Sequence, residues 1–390
     1  MSRLTSRFAN VVPPIQRRQE RIGELERQLA EKDAELTVRE AEYAASLQRS
    51  RAEAAKWRGF TRSKAEQLDA AQSRVRAIQR ERTTFSTQLA NYKATYSAMA
   101  KLRDPAHLVM RQIPYKLRNY SFAQSHGVGV PEVSAVWSDP AEIDLSVIAA
   151  ERIVLKADSE ASGRAVWPLV REGDSWVKLG SELRLPNGRL PASMVETMSA
   201  MRGPFFAEEF LVGTGESSLP EDIKFYMSYG EVLQVLVMQQ GKQGTTDRQL
   251  FSRAYFSESG RTLGRVLGGA RYADIMPPVL LPELVEVAKR LSRLVGVPFI
   301  RVDLYQTPRG PVLGELTLLP GGHHEYTPKH DRRMGKKWTA GRARLERDLG
   351  AGRPPGMLFG ANDYAWHYPP HEGRAGEPNA WSRVPAPLAP

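Results

Sequence analysis

The sequence predicts an α+β fold that carries a long α-helical coiled coil at its N-terminus. Residues 14–104 contain very few Gly or Pro residues and are dense in Ala, Glu, Arg, Gln and Leu, which favour helix. After Pro105, short apolar runs alternate with Pro, Gly and aromatic residues, as in mixed α and β structure. We therefore predict four segments, namely a flexible N-terminus at 1–13, a helical arm at 14–104, a globular domain at 105–345 and a Pro/Gly-rich, largely disordered tail at 346–390.

Length and composition limit the class of protein. The chain has 390 residues with 41% hydrophobic content, enough to bury a sizeable core. It has no Cys, which excludes a disulfide framework, a thiolate zinc site and a cysteine nucleophile. The first residues lack the apolar core of a signal peptide, and no apolar run is long enough to span a bilayer. We therefore expect a cytoplasmic protein without a transmembrane segment.

The basic charge makes nucleic acid one alternative partner, since the formal net charge is +11. An excess of about nine positive charges lies in the first 115 residues, interleaved with Glu and Asp. Interleaved charge of this kind is typical of a solvated helix face. No base-recognition motif or stacking aromatic pair accompanies it, so the pattern disfavours a nucleic-acid partner.

The arm carries two apolar seams with heptad spacing. The first seam is weak and consists of Ile22, Leu29, Leu36 and Tyr43. The second seam is stronger, with two heptad positions filled by Leu68, Val75, Leu89 and Tyr96 and by Ala71, Ile78, Phe85, Tyr92 and Met99. Such a stripe must be buried, either against a second copy or against the globular domain. We favour a homodimer, with a folded-back hairpin as the alternative.

The first polar motif of the globular part follows the segment KLRNYSFAQSHGVGVPEVSAVW, which reads as a helix closed by Gly127 or Gly129 and then a strand after Pro131. The segment RIVLKADSEASGRAVWPLV reads as a strand, a small-residue loop and a second strand, with Lys156 near the end of the first strand. Backbone N–H groups of such a loop can approach a phosphate, and a nearby Lys supplies positive charge. The alternative is that Lys156 is an ordinary surface residue.

Two further strands carry acids. In PFFAEEFLVGTGE, Glu208 and Glu209 alternate across a strand, so one carboxylate can face a cleft while the other meets solvent. The alternative is a strand end with two solvated acids. DIKFYMSYGEVLQVLVM reads as a hairpin with its turn at Tyr229 and Gly230, and the spacing of two places Asp222 and Lys224 on one face.

The most informative segment is PFIRVDLYQTPRGPVLGELTLLPGG, which predicts an antiparallel hairpin. Strand alternation places Arg301 and Asp303 on one face, together with Glu315 and Thr317 of the facing strand. Two neighbouring carboxylates form a hard oxygen site of the kind that Mg²⁺ takes. The alternative is that Arg301 neutralises the acids as an ion pair.

Taken together, RVDLY, GELT and PGG resemble the ATP-grasp superfamily, and most closely its TupA-like branch of teichuronopeptide biosynthesis. The resemblance covers about residues 112–338, from KLRNY through EDIKFY to HDRRMGKKW. The broader pattern is also similar to D-alanine:D-alanine ligase. The resemblance implies two α+β halves that grip ATP between them.

The same resemblance implies a nucleotide site. Lys156 would contact phosphates, and Ser162 and Gly163 would lie in the phosphate-covering loop. Glu208 would meet the adenine amino group, and the backbone of Glu209, Phe210 and Leu211 would supply the hinge hydrogen bonds. We also assign Lys224 to the ATP site.

The metal and substrate positions follow from the resemblance as well. Asp303 and Glu315 would hold Mg²⁺, with Thr317 in the place where many ATP-grasp enzymes have Asn. Arg301 would be the catalytic residue that stabilises charge on the transferred phosphoryl group or the tetrahedral intermediate. The substrate would contact three residues, Arg118, His323 and His324.

The activity implied is that of an ATP- and Mg²⁺-dependent carboxylate-amine ligase that forms a C–N bond through an acyl phosphate and releases ADP. Its substrates would be a carboxylate and an amine, in a cell-surface polysaccharide or peptide-polymer precursor. Two alternatives remain open at this point. One is phosphotransfer to a sugar hydroxyl, and the other is a non-catalytic coiled-coil scaffold with a nucleotide-binding domain.

Overall fold

A computed structural model describes residues 12–81, 83–101, 109–159, 165–213, 220–240, 251–321 and 325–367. The chain divides into two compact units, Met1–Arg80 and Glu81–Pro390.

The first unit is the long helix that the sequence predicts. Helix α1 spans Val12–Glu81, and its 70 residues extend over roughly 105 Å at 1.5 Å per residue. Pro13 and Pro14 lie in its first turn, where a missing N–H group is tolerated. Apolar side chains of the first seam are exposed, including Leu29 at 65% and Leu36 at 56%.

The second unit begins earlier than predicted. Helix α2, Phe85–Met99, starts afresh at Thr84, whose hydroxyl accepts a hydrogen bond from the Thr87 amide at 3.2 Å. Phe85 and Leu89 are buried among residues of the second unit. The second heptad seam therefore does not continue as one exposed stripe to Met99, because its C-terminal half packs within the globular unit. The side chain of Ile78 lies outside those described.

Two antiparallel sheets form the body of the second unit. The six-stranded sheet has the order β1-β6-β2-β3-β4-β5 and is built from β1 Val133–Trp137, β2 Arg152–Ala157, β3 Val166–Glu172, β4 Ser175–Lys178, β5 Arg184–Pro186 and β6 Phe205–Glu209. The five-stranded sheet has the order β11-β10-β7-β8-β9 and is built from β7 Asp222–Ser228, β8 Glu231–Gln240, β9 Phe251–Phe256, β10 Ile300–Thr307 and β11 Gly310–Thr317.

Helices complete the unit, and they are α3 Val109–Gln112, α4 Lys116–Ser125, α5 Ala192–Ser199, α6 Leu281–Val295 and α7 Pro328–Gly350. The apolar residues of α6 recur at spacings of three and four, and they pack on one face of the five-stranded sheet in the largest core. Helices α2 and α7 pack together and cover part of the opposite face, with Phe85, Phe299 and Trp338 in contact. These two helices leave the rest of that sheet face uncovered.

The predicted tail is shorter than expected. Helix α7 continues to Gly350, and the segment after it places Met357, Leu358 and Phe359 in buried positions. Ser121 donates a hydrogen bond to the Ala365 carbonyl at 2.5 Å, which attaches this segment to α4. The Pro- and Gly-rich composition predicted a disordered segment, and it outweighed the few apolar residues that are buried here. Residues 368–390 lie outside the described part of the chain.

A search of the described helices found none that is both long enough and apolar enough to cross a membrane.

Candidate functional site

Polar groups from four strands share one face of the five-stranded sheet. Cross-strand pairing aligns Thr317, Arg301, Tyr226 and Gln234 in one row. The next row contains Glu315, Asp303, Lys224, Leu236 and Tyr255. The register Asp303 to Glu315 confirms the hairpin that the sequence predicts, so the four predicted polar residues of β10 and β11 do lie side by side.

Asp303 is the centre of the charged row. Arg301 Nε donates to Asp303 Oδ1 at 2.6 Å, and Arg301 Nη2 donates to Oδ2 at 2.6 Å. Lys224 Nζ lies 2.8 Å from the same Oδ2 atom. Burial would raise the pKa of Asp303, but Arg301 and Lys224 outweigh it and hold that pKa below its usual value. The ion pair that was the alternative to a metal site is therefore present.

Lys224 and Thr317 have different surroundings from those we expected. Lys224 Nζ also lies 2.6 Å from Asp222 Oδ1, so two acids hold the ammonium group. Burial would lower the pKa of Lys224, but Asp222 and Asp303 raise it. Thr317 Oγ1 accepts a hydrogen bond from Arg301 Nη2 at 3.0 Å. Both side chains thus contact the Arg301–Asp303 pair, and their roles toward nucleotide and metal stay predictions.

Glu315 differs from Asp303 although the two face each other. Its side chain is only partly buried, and no hydrogen bond or ion pair to its carboxylate occurs within the described part of the chain. Carboxylates directly opposite each other lie about 5 Å apart at Cβ, close enough to share a cation. Their hard oxygen donors suit Mg²⁺, which usually takes one or two carboxylates and completes its shell with waters and substrate phosphates.

The fit to Mg²⁺ therefore rests on two carboxylates. Among the described residues no group of three or more His, Asp or Glu side chains forms a metal cluster. Glu315 offers unengaged oxygens, whereas both oxygens of Asp303 already accept from Arg301 and Lys224. A metal at this face would use Glu315 fully and share Asp303 with its basic neighbours.

The six-stranded sheet contributes a second buried pair. Lys156 Nζ forms an ion pair with Glu208 Oε1, and the Tyr120 hydroxyl donates to Glu208 Oε2 at 2.7 Å. Lys156 is 9% exposed and Glu208 is 3% exposed. The prediction assigned Glu208 to the adenine amino group and Lys156 to phosphates. In the structure the two side chains satisfy each other, because a buried carboxylate needs a cationic or hydrogen-bonding partner.

Helix α4 contributes Lys116 and Tyr120 to the site, and neither was among the predicted site residues. Lys116 Nζ donates to the carbonyls of Ala157 and Asp158 at 3.3 and 3.2 Å. Burial lowers the pKa of Lys116 and Lys156 adds to that effect, while Glu315, Asp158 and Glu208 oppose it. Lys116 thus interacts electrostatically with acids of both sheets. The feature of the sequence that could have indicated a role for Lys116 is its place in the first turn of a helix, where the helix dipole disfavours positive charge.

Arg118 has a different place from the one predicted. Its guanidinium lies 5.6 Å from the Phe359 ring centroid and 5.5 Å from that of Trp366. The side chain is 1% exposed, beneath the segment that follows α7. The side chain therefore has a packing role, and its contact with substrate stays a prediction. The sequence did not reveal this because Phe359 and Trp366 lie more than 200 residues away.

The predicted hinge segment, Glu209 to Leu211, is only partly engaged in hydrogen bonds of the fold. The Glu209 amide donates to the Glu132 carbonyl at 2.8 Å, and its carboxylate accepts from Arg309 Nη2 at 2.5 Å. Glu209 is therefore engaged in the fold. Phe210 and Leu211 are buried and, within the described residues, their backbone groups form no hydrogen bonds. Four other predicted site residues, Ser162, Gly163, His323 and His324, lie outside the described part of the chain.

Comparison with known proteins places these features in context. A family model described as TupA-like ATPgrasp matches residues 98–339. No curated protein matches the sequence. The D-alanine–D-alanine ligase of Bacillus anthracis complexed with ATP is 14% identical with a TM-score of 0.40, over 62% of this chain and 70% of that chain.

Other solved structures give lower scores. The ATP-grasp ligase PsnB, complexed with a phosphomimetic variant of its minimal precursor, Mg and ADP, is 14% identical with a TM-score of 0.36, over 61% of this chain and 60% of that chain. The D-alanine–D-alanine ligase of Helicobacter pylori is 11% identical with a TM-score of 0.34, over 60% and 58% of the two chains. The family model is therefore the comparison that carries weight.

Proposed function

This chain belongs to the TupA-like ATP-grasp family, and on that premise we propose that it is an ATP- and Mg²⁺-dependent ligase that joins a carboxylate to an amine. The reaction would pass through an acyl phosphate, in which the substrate carboxylate attacks the γ-phosphorus of ATP and ADP leaves. The amine then attacks the acyl carbon, and inorganic phosphate leaves. The observation that supports the proposal is the row formed by Glu315, Asp303 and Lys224, with Arg301 beside it.

Glu315 and Asp303 would hold the magnesium, whose charge neutralises the nucleotide phosphates. Arg301 is fixed by Asp303 and Thr317, so its guanidinium is already oriented when substrate arrives. A preoriented cation in a poorly solvated site stabilises developing negative charge more effectively than one in water. Arg301 is therefore the group that we assign to the transferred phosphoryl group.

The nucleotide would contact the six-stranded sheet. The backbone groups of Phe210 and Leu211 would bind adenine, and Lys156 and Lys116 would face the phosphates. Binding would have to exchange the Lys156–Glu208 ion pair for contacts with ATP, which leaves Glu208 to accept from the adenine amino group. Ser162 and Gly163 belong to the loop that we assign to covering the phosphates.

The family resemblance extends the proposal to the acceptor, which would be a cell-surface polysaccharide or peptide-polymer precursor. We also propose that α1 forms a homodimer through its exposed apolar seam. The exposed Leu29, Leu36 and Leu68 support this, since an unburied heptad stripe on a helix of this length is typical of a coiled-coil surface.

The test uses the full-length chain with ATP, Mg²⁺ and paired pools of carboxylic acids and amines. We expect ADP and inorganic phosphate to appear in equal amounts, with mass spectrometry detecting a condensed product that is one water lighter than its parts. A phosphorylated product without inorganic phosphate would instead identify a phosphotransferase. No ADP, together with no rise in melting temperature in Mg²⁺-ATP, would contradict any nucleotide-dependent role.

A further inference from the structure

Five arginines come from β9, from the segment that follows it and from the second turn of α7, and they are Arg253, Arg261, Arg265, Arg271 and Arg333. Two of them, Arg261 and Arg333, are close enough to influence each other electrostatically. The ion pairs of the described residues include none of these five arginines. Among the described residues, this part of the unit therefore carries positive charge that forms no ion pair.

Arg333 is a partly buried member of this group. Its Nε atom is buried and has no hydrogen-bond partner among the described residues, and its Nη2 atom lies 3.5 Å from His330 Nδ1. Burial lowers the pKa of Arg333, and the neighbouring Arg261 lowers it further. Two like charges held together with an unsatisfied buried donor are unfavourable until an anion joins them.

The described acids near these arginines either contact other residues or form no ion pair with them. Glu258 lies 2.9 Å from Lys289 Nζ, and Asp331 accepts hydrogen bonds from the Ser86 amide and hydroxyl at 2.9 and 3.0 Å. Asp274 and Glu325 are exposed and, in the described part of the chain, form no ion pair with these arginines. None of the described acids therefore pairs with these arginines, and a bound anion would supply the negative charge that they lack there.

A chain of buried hydrogen bonds leads from Arg333 to the proposed reaction centre. His330 Nε2 lies 2.8 Å from Gln234 Oε1, and Gln234 Nε2 donates to the Tyr326 hydroxyl at 2.7 Å. Tyr326 is hydrogen bonded to Tyr226, which is the cross-strand neighbour of Arg301. Arg333 is thus connected, through His330 and side chains on this sheet face, to the Arg301–Asp303 pair.

We propose that Arg261 and Arg333 bind a carboxylate of the substrate that does not react, so that the substrate is a dicarboxylate or a larger polycarboxylate. This inference rests on the proposed function, in which another carboxylate of the same molecule is activated beside Glu315. Guanidinium groups suit this task because their planar donors match the two oxygens of a carboxylate. A second carboxylate would also set the orientation of the reacting one.

Isothermal titration of the full-length chain with glutarate, without ATP, tests the subsite directly. We expect glutarate to bind, and we expect Arg333→Gln and Arg261→Gln each to weaken binding about tenfold, which is about 1.4 kcal/mol. The matched control is Arg342→Gln, which removes an exposed arginine of the same helix that pairs with Glu346. The control should bind glutarate like the natural chain.

The second part of the experiment titrates inorganic phosphate into the same four proteins. Tighter binding of phosphate than of glutarate through the same arginines would overturn the carboxylate assignment, as would glutarate binding that is absent or equal in all four. Arg261 is exposed, so its variant tests the subsite even if Arg333→Gln destabilises the fold. The melting-temperature rise in Mg²⁺-ATP is measured in parallel. If that rise is absent while the arginine variants still lose glutarate, the proposed function fails and the subsite stands.

Discussion

Two carboxylates that face each other across β10 and β11 have opposite surroundings. Substituting each of them should therefore affect the stability of the fold and the release of ADP differently. Asp303 is buried and holds two cationic side chains, whereas Glu315 is partly exposed and, among the described residues, holds none. Removing one partner from a buried ion pair leaves an uncompensated charge. Removing a carboxylate that forms no ion pair with a described residue costs less, since only the longer-range attraction between Glu315 and the buried Lys116 is lost.

We therefore expect Glu315→Gln to lower ADP release by about a hundredfold or more, while the free energy of unfolding changes by less than about 1 kcal/mol. Asp303→Asn should abolish ADP release too, but it should also destabilise the protein by about 3 kcal/mol, since Arg301 and Lys224 remain buried. Urea denaturation and an ADP assay check both quantities. Full activity of Glu315→Gln would sink the metal assignment, and equal stability of the two variants would contradict the ion-pair account.

His330 makes stability depend on pH. Burial, aided by Arg333, lowers the pKa of His330 from 6.5 to about 4. Between these values the unfolded chain binds a proton that the folded chain does not, so stability rises with pH. The contribution is fully present above pH 6.5 and is lost as the pH falls towards 4.

Melting temperature should accordingly fall from pH 7 to pH 4.5, and His330→Gln should make that fall smaller. Lys336→Gln, which changes an exposed residue of the same helix, should keep the natural pH dependence. Calorimetry in buffers of matched ionic strength gives the comparison. Identical pH profiles for His330→Gln and the natural chain would show that this histidine is not the group responsible.

For single residues, the sequence predicted the spatial neighbours correctly where those neighbours are also close in the sequence. Arg301, Asp303, Glu315 and Thr317 belong to one hairpin, so strand alternation alone places them on one face. The Lys156–Glu208 ion pair joins strands about 50 residues apart, and Tyr120 joins it from a helix. Those contacts depend on strand order and on helix placement, which alternation does not specify.

Helix α7 packs so closely that two of its glycines have no room for a side chain. A Cβ atom added at Gly335 would lie 1.5 Å from the Thr83 carbonyl oxygen, and one at Gly341 would lie 2.1 Å from that of Ser228. Gly350, at the end of the same helix, has open space around that position. The helix therefore contacts the segment before α2 and the end of β7 through backbone rather than side chains.

Gly335→Ala should destabilise the second unit by about 3 kcal/mol, because backbone atoms would have to move apart. Gly350→Ala is the matched control, and it should be neutral or stabilise by up to ~0.5 kcal/mol, since Ala favours helix. Thermal unfolding followed by near-ultraviolet circular dichroism measures both. The close contact would be refuted by equal melting temperatures of the two variants.

At the level of elements, the sequence predicted helices and strands better than their ends. The arm helix and the hairpins follow from composition and period, which are local. The break before α2 depends on Thr84 as a cap and on Phe85 among Tyr226, Phe299 and Trp338. Those aromatic partners are distant in sequence, so heptad spacing alone continued the arm to residue 104.

Across the whole molecule, the two units carry different kinds of surface. The first unit is a single helix with charged side chains that pair along it, such as Lys32 with Glu35 at 2.7 Å. Exposed pairs of this kind add little stability, so they keep the helix soluble in water more than they hold it together. The apolar seam between them is the part of this unit that needs a partner.

We expect the full-length chain to sediment at twice its mass of 43.6 kDa at micromolar concentration. Leu29→Asp combined with Leu36→Asp should weaken the dimer at least tenfold, or about 1.4 kcal/mol, because charges would enter the apolar seam. Ala34→Asp combined with Ala41→Asp introduces the same charges on the opposite side of the helix, so this control should stay dimeric. Analytical ultracentrifugation over a range of concentrations distinguishes the three proteins. A natural chain that sediments as a single copy throughout, or equal weakening in both double variants, would contradict the dimer and leave the arm for another partner.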